Sequence, residues 1–282
     1  MEIDSTPSGG LAAHIRAHLS ELRDTEARVA RVVLDKGAEL VRLSVSDVAA
    51  LAGTAPSTVV RACQRLGFRG YQELKIAAAR QAPAPQPSRD RDPAARALAD
   101  TIRAGREALE GVAATVTPQD LRAAAELIDA APRVLVVGAG LSGAVALDTA
   151  YRLRALGCAV DAPADPLTAQ LAASQLTSTG VCLAISHTGA TRSTVDAVRR
   201  ARRAGARVVA VTSYARSPLS EAGGLTLVAG GQDLVFGLET VASRLAHLTV
   251  IDALALTLLG LRGEPAEAAL RLSADVTVDH SY

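Results

Sequence analysis

The chain has 282 residues, enough for two domains each with its own core, and a formal net charge of +1. That near-neutral balance excludes a nonspecific coating protein for polyanions, which needs a strongly basic whole. The three cysteines, Cys63, Cys158 and Cys182, are few, odd in number and widely spaced, with no CxxC and no clustered histidines. They exclude a disulfide framework and a structural zinc site, and they point to a reducing cytoplasm. The first ten residues, MEIDSTPSGG, are acidic and polar with no positive flank ahead of an apolar core. No signal peptide is therefore expected. No uninterrupted apolar run approaches the about 20 residues of a membrane span, so a soluble, cytoplasmic protein is expected.

Residues 44–68, SVSDVAALAGTAPSTVVRACQRLGF, carry the first informative pattern. Ser44 followed by Asp47 predicts a capped helix N-terminus. A short apolar helix with Val48, Ala49 and Leu51 then runs to Gly53, where a tight turn needs a left-handed residue. Ala49 is small, as the close crossing of two short helices requires. Pro56 suits the first turn of a second helix, which presents Val59, Val60, Cys63 and Leu66 inward at helical spacing. Its other face carries Ser57, Thr58, Arg61, Gln64 and Arg65, all able to donate to phosphates or base edges. Between 54 and 80, five basic residues (Arg61, Arg65, Arg69, Lys75, Arg80) stand against Glu73 alone, a local excess of four positive charges. The pattern is that of a DNA-reading helix-turn-helix; a small helical bundle with a solvated polar face is the alternative.

From Leu22 to Lys75 the chain resembles the N-terminal domain of the RpiR family of bacterial transcription regulators. The resemblance rests on Thr25-Glu26, the 44–52 helix, Ser57-Thr58-Val59-Val60-Arg61, Leu66-Gly67-Phe68 and Gly70-Tyr71-Gln72-Glu73-Leu74-Lys75. Two positions depart from the family pattern. Thr54-Ala55 replaces the usual Val-Ser pair, with Thr54 expected to replace the missing hydroxyl, and Ala62 stands where Phe is usual.

Residues 81–93, QAPAPQPSRDRDP, hold four prolines and almost nothing apolar, which predicts a semi-rigid linker. A helix over 94–116 follows, then Thr117-Pro118-Gln119-Asp120 caps another reaching about residue 130. Beyond it, buried strands over 134–137, 181–185, 208–211 and 225–228 alternate with helices over 142–156 and 193–204. A long apolar-rich helix over 238–261 closes the pattern. Continuous apolar strands alternating with helices predict a doubly wound parallel sheet covered on both faces. The expected organisation is an all-helical domain over 1–80, the linker, and an α/β domain with flanking helices over 94–282.

Two loops of the α/β half carry chemistry. Gly138-Ala139-Gly140-Leu141-Ser142-Gly143 follows a strand, opens a helix and satisfies GxGxxG, with Asp161 near the position of a ribose-binding acid. An NAD-binding, redox-sensing regulator is therefore one reading. Ser186-His187-Thr188-Gly189-Ala190-Thr191 sits between another strand and helix, and its hydroxyls and backbone N–H groups suit a phosphate dianion. Two hydroxyl-bearing loops at the C-terminal ends of parallel strands fit a small phosphorylated ligand better than a dinucleotide.

Residues 121–230 resemble a SIS (sugar isomerase) domain, a phosphosugar-binding α/β module. The resemblance runs through Gly138–Ser142, the Ser-x-Ser/Thr-Gly-x-Thr loop at 186–191, Thr212-Ser213 and Ser217-Pro218-Leu219. It implies that Ser142, Ser186, Thr188 and Thr191 hold the phosphate and nearby hydroxyls, with Gly140, Gly189, His187, Ser213 and Glu239 completing the candidate ligand set. His187 is atypical of the family and is expected at the rim or against the sugar. Residues 239–254 also fit the C-terminal helix of RpiR-type regulators. An aldose–ketose isomerase is a further reading, needing a general base for which Glu239, His187 and His247 are the candidates. No enzymatic activity, metal or cofactor is expected. The reading favoured is a transcription regulator, commonly a repressor in this family, that binds operator DNA as a homodimer and answers to a phosphorylated sugar. Arg61, Gln64 and Arg65 are the candidates for groove contacts, with Ser57, Thr58 and Arg69 on the DNA backbone.

Overall fold

The computed structural model describes residues 11–81, 92–229 and 241–280. The chain divides into two compact units, the first running to Ala104 and the second built from Gly105 onward, with Val241 to the C-terminus rejoining it. The linker expected at 81–93 falls almost wholly outside the described residues. The division between the two units falls between Ala104 and Gly105, within the helix that follows.

The first unit is all helical: α1 (Leu11–His18), α2 (Asp24–Lys36), α3 (Val45–Ala52), α4 (Pro56–Arg65) and α5 (Tyr71–Gln81), with 3-10 turns at Leu19–Glu21 and Gly37–Arg42. Its core gathers Ile15, Val29, Val33, Leu40, Val48, Val59, Cys63, Leu66 and Leu74. The α3 start is reciprocally capped. Ser44 Oγ accepts from the Asp47 N–H at 3.0 Å, and the Asp47 carboxylate accepts from the Ser44 N–H at 2.9 Å. Gly53 ends the helix with φ 61° and ψ 43°, the left-handed conformation the turn requires. Val48 and Ala49 are buried as expected, but Leu51 is 53% exposed on the opposite face. The N-cap of α4 is Ala55, which offers no side-chain bond, and Thr54 Oγ1 has no partner among the described residues. Thr54 therefore does not replace the missing cap hydroxyl; Pro56, lacking an N–H, reduces the need for one.

Helix α6 (Pro93–Thr115) carries the chain into the second unit. There α7 (Pro118–Asp129), β1 (Val134–Gly138), α8 (Leu141–Ala155), β2 (Val160–Asp161), α9 (Pro166–Ser174), β3 (Val181–Ile185), α10 (Arg192–Arg203), β4 (Arg207–Thr212), α11 (Pro218–Glu221) and β5 (Leu225–Val228) alternate. Two long helices, α12 (Val241–Arg262) and α13 (Glu264–Asp279), follow. The five strands form one parallel sheet in the order β2-β1-β3-β4-β5, with Val134 opposite Val181 and Val181 opposite Arg207. Every residue of β3 is buried, as its uninterrupted apolar sequence predicts. Helices α9 and α10 pack on each other, whereas α12 packs along α7 and α8. The sheet is therefore doubly wound, as expected. The sequence reading did not include β2, α9, α11 or α13. Ala242–Arg262 is, by length and composition only, long and apolar enough to cross a membrane, but Arg244 and Asp252 interrupt its apolar run. This helix carries Arg244, His247 and Asp252 and packs on α7 and α8.

Candidate functional sites

In the first unit the candidate DNA-reading face is the outer side of α4. Ser57, Arg61 and Gln64 are exposed there. Thr58 is not. It is 6% exposed, and its hydroxyl accepts from Arg61 Nη2 at 3.1 Å, so it is turned inward rather than toward a phosphate. Arg65 is half engaged. Its Nε lies 3.2 Å from the carboxylate of Glu26, a buried residue of α2 that also accepts from the Arg23 N–H at 3.1 Å. The pair ties the end of α4 to the start of α2, which makes Arg65 a holder of the recognition helix before anything else. Arg69 is exposed and pairs with Glu73 at 3.4 Å. The Arg69 backbone N–H, more than its side chain, holds the Glu73 carboxyl below the usual carboxylate range. Lys75 is only 4% exposed and so leaves the basic surface that the sequence assigned to it. Sequence reasoning missed Arg28. It projects from α2 to within 3.1 Å of the Cβ position of Gly53, at the helix-turn-helix turn, outside the window in which basic residues were counted.

In the second unit the candidate ligand residues gather where β1 and β3 end. Their crossovers leave to opposite faces of the sheet, and such a switch point opens a crevice outside the strand ends. Gly138 packs so tightly that a Cβ there would lie 2.6 Å from the Ser142 carbonyl. Gly140 is the N-cap of α8, and Ser142 lies buried in its first turn. The Ser142 hydroxyl accepts from the His187 N–H at 3.4 Å, which joins the first loop to the second. In the second loop Ser186 Oγ and Thr191 Oγ1 lie 3.1 Å apart, and Thr188 Oγ1 accepts from the Ala190 N–H at 3.2 Å. Gly189 has φ 60°, and a Cβ there would lie 2.2 Å from Ser217 Oγ. Only glycine lets this loop close against α11, whose Leu219 N–H donates to the Gly189 carbonyl at 2.8 Å.

Ser213, just beyond β4, donates its N–H to the His187 carbonyl at 3.0 Å. Its hydroxyl stands between two imidazoles, 2.8 Å from His187 Nδ1 and 3.1 Å from His247 Nε2. His187 is 2% exposed, which corrects the expectation of a rim position: the Ser213 bond and an edge contact with Tyr214 at 5.8 Å draw the ring inward. Burial first, and the neighbouring His187 ring second, push His247 down to about 3, so it is neutral near pH 7. Glu239 lies outside the described residues. A narrow crevice of about 10 Å³, room for no more than a water, opens beside the loops between Val137–Ala139, Pro163, Pro166, Ser193 and Thr194. The Thr194 hydroxyl is buried there without a partner among the described residues, which the sequence reading did not foresee. A lone Thr inside an apolar helix face gives no sequence signal.

The acid required by the dinucleotide reading is misplaced. Asp161 stands opposite Leu135, near the start of β1, and its carboxylate is engaged by Arg133 at 3.0 Å. Among the described residues no group of three or more His, Cys, Asp or Glu is arranged to hold a metal ion.

Residues 9–84 match the helix-turn-helix domain of the rpiR family, and residues 126–257 match the SIS domain. The HTH-type transcriptional regulator HexR of Pseudomonas aeruginosa is 30% identical over 96% of this chain and 97% of its own. Among solved structures, Vibrio vulnificus NanR complexed with ManNAc-6P superposes with a TM-score of 0.82 at 23% identity, covering 96% of this chain and 99% of that one. The sugar isomerase domain of an RpiR transcription factor from Sphaerobacter thermophilus superposes with a TM-score of 0.57 at 25% identity, covering 63% and 98%. The helix-turn-helix unit, the doubly wound sheet with its two hydroxyl-bearing loops, and a HexR likeness along nearly the whole length together place this chain in the RpiR family of helix-turn-helix transcription regulators.

Proposed function

We propose that this protein regulates transcription by binding operator DNA through α4 and that a phosphorylated sugar, bound at the 138–142 and 186–191 loops, sets its DNA affinity. The observation that carries the reading is the convergence of the Ser142, Ser186, Thr188 and Thr191 hydroxyls at strand ends that also open α8 and α10. Hydroxyls, loop N–H groups and helix N-termini are what a phosphate dianion needs. The ManNAc-6P found with Vibrio vulnificus NanR, a similarly folded protein, agrees with that chemistry. The helix-turn-helix residues occupy 1–80, the linker 81–93 and the ligand-binding domain 94–282. The protein works in the cytoplasm as a homodimer on a palindromic operator, with half-sites about 34 Å or a multiple apart.

Binding rather than isomerisation is the reading of the site. An isomerase needs a base matched to neutral pH, and of the three candidate bases His247, at about 3, is too weak to serve. Its hydrogen bond to Ser213 makes it a support for the loop. A ligand shifts the DNA-competent state only by its differential affinity for the two conformations.

Fluorescence anisotropy of the full-length protein on DNA from upstream of its own gene tests the reading. It is run at fixed salt against scrambled DNA, with and without a pool of sugar phosphates. The expected result is a preference for the native DNA that the pool shifts. No preference and no response to the pool would overturn both halves, and turnover of a sugar phosphate by purified protein would replace regulation with catalysis.

A further inference from the structure

The sheet has a second edge, and a cavity sits on it. Where the chain runs from Gly205 into β4 and from Gly224 into β5, the end of α10 and Leu127 of α7 border an open depression of about 340 Å³. Among the described residues, Arg202 and Arg207 line the space and no acidic residue does. Because the five strands are parallel, this cavity lies at the opposite end of the sheet from the 138–142 and 186–191 loops. A strand of six residues such as β4 separates the two ends by about 20 Å.

Among the described residues, neither Arg202 nor Arg207 lies within ion-pairing distance of a carboxylate. Arg207 donates from Nη2 to the Thr179 carbonyl at 3.2 Å, and its Nε has no acceptor among the described residues. Arg202 has a seat shaped for it. Gly223 takes φ +89°, and a Cβ there would lie 2.2 Å from Arg202 Nη1 and 3.0 Å from its Cζ, so the guanidinium rests on bare backbone. Residues 192–207 hold six arginines and one acid, Asp196, which pairs with Arg192 and Arg199. Part of that excess complements the C-terminal dipole of α10. The dipole accounts for the charge but not for the concavity.

Two guanidiniums bordering one concavity, with no carboxylate beside them among the described residues, offer donors that an oxyanion would satisfy through charge-assisted hydrogen bonds. Leu127 and Leu225 give the walls an apolar part for a carbon skeleton. The volume falls in the range of small-molecule sites, about 300–1,000 Å³. We propose that this cavity is a second ligand site, for a small organic oxyanion (a carboxylate or a phosphate ester), separate from the phosphosugar loops. A regulator with both sites reads two metabolites on one sheet.

Calorimetric titration of the full-length protein with citrate, and separately with inorganic phosphate, tests the proposal. Anion binding in the wild type should weaken about 10-fold or more in Arg202→Gln, the loss expected of one charge-assisted bidentate contact. Arg202→Lys should fall between, because it keeps the charge and loses the fork. Ser186→Ala should leave this binding intact, which separates its failure from failure of the phosphosugar reading. Citrate binding with this pattern identifies a carboxylate site, and phosphate binding with it a phosphate-ester site. Circular dichroism confirms that each variant is folded. Three results would each overturn the proposal: no anion binding by the wild type, binding removed by Ser186→Ala alone, or arginine variants that lose only DNA affinity. The last would make the patch a contact for nucleic acid.

Discussion

The buried His247 makes the stability of the α/β unit depend on pH in a calculable way. Its side chain is 1% exposed, and burial pushes its pKa from the ordinary 6.5 to about 3. Between those values the unfolded chain binds a proton that the folded chain refuses. The stability held by neutral His247 is therefore complete above about pH 6.5 and is lost as pH falls toward 3. Integration over that window gives a loss of about 2 kcal/mol from pH 7 to pH 5 and about 4 kcal/mol by pH 3. His247→Gln removes the titration while leaving a polar tip near Ser213. Hydrogen exchange read by mass spectrometry on β3 and β4 peptides, corrected for the intrinsic rate at each pH, reports the opening free energy of the sheet itself. The wild type should lose about 2 kcal/mol more than His247→Gln between pH 7 and pH 5. Any fixed cost of the substitution cancels in that difference. Parallel pH dependences in the two proteins would mean that His247 is protonated in the folded state, and the argument from burial would fail.

Three further outcomes follow from the two sites. Arg61→Ala should weaken operator binding by about 1–3 kcal/mol if Arg61 reads a guanine edge, measured by anisotropy against scrambled DNA; equal loss on both DNAs would remove it from base reading. Arg65→Ala should lower stability by about 1 kcal/mol in urea unfolding, because Arg65 is half exposed and its ion pair with buried Glu26 is screened. A changed operator preference at unchanged stability would contradict that holding role. Ser186→Ala and Gly189→Ala should both abolish the response to sugar phosphates. Gly189→Ala should also cost about 1–3 kcal/mol, since alanine is strained at φ 60° and its Cβ would overlap Ser217. An intact ligand response in Ser186→Ala would displace the phosphate from that loop.

The regular elements of this fold were legible where local chemistry dictates them. The Ser44–Asp47 capping box, the left-handed Gly53 and the first-turn Pro56 lie within thirteen residues and needed no tertiary information. The strands β1, β3 and β4 are continuous apolar runs that admit burial on both faces and little else. What escaped notice was short or had a weak pattern. Strand β2 has two residues, Val160 and Asp161, and its pairing with β1 rests on residues far away in sequence. Helix α9 opens at an Asp165–Pro166 cap and α13 at a Gly263 turn, both readable signals. Their alanine-rich bodies lack a strong apolar stripe to confirm them.

The sites divide along the same physical line. A phosphate loop compresses its requirements into a few consecutive residues, because hydroxyls, a flexible glycine and a helix start must all surround one small anion; hence 186–191 stands out in the sequence as the candidate. The features that shape this particular site join distant residues. Ser213 meets His187 across 26 positions and His247 across 34, and no spacing rule connects them. Charge deceives for the same reason. Arg61, Arg65 and Lys75 look equivalent in sequence, yet one is exposed and, among the described residues, bonded only to Thr58 of its own helix, one clasps Glu26 and one is buried. Counting arginines thus pointed to the candidate DNA-reading face and overstated its charge, while the two arginines that line the far cavity have nothing around them in sequence that looks like a motif. Burial decides which charges remain available to a partner, and burial is a property of the fold.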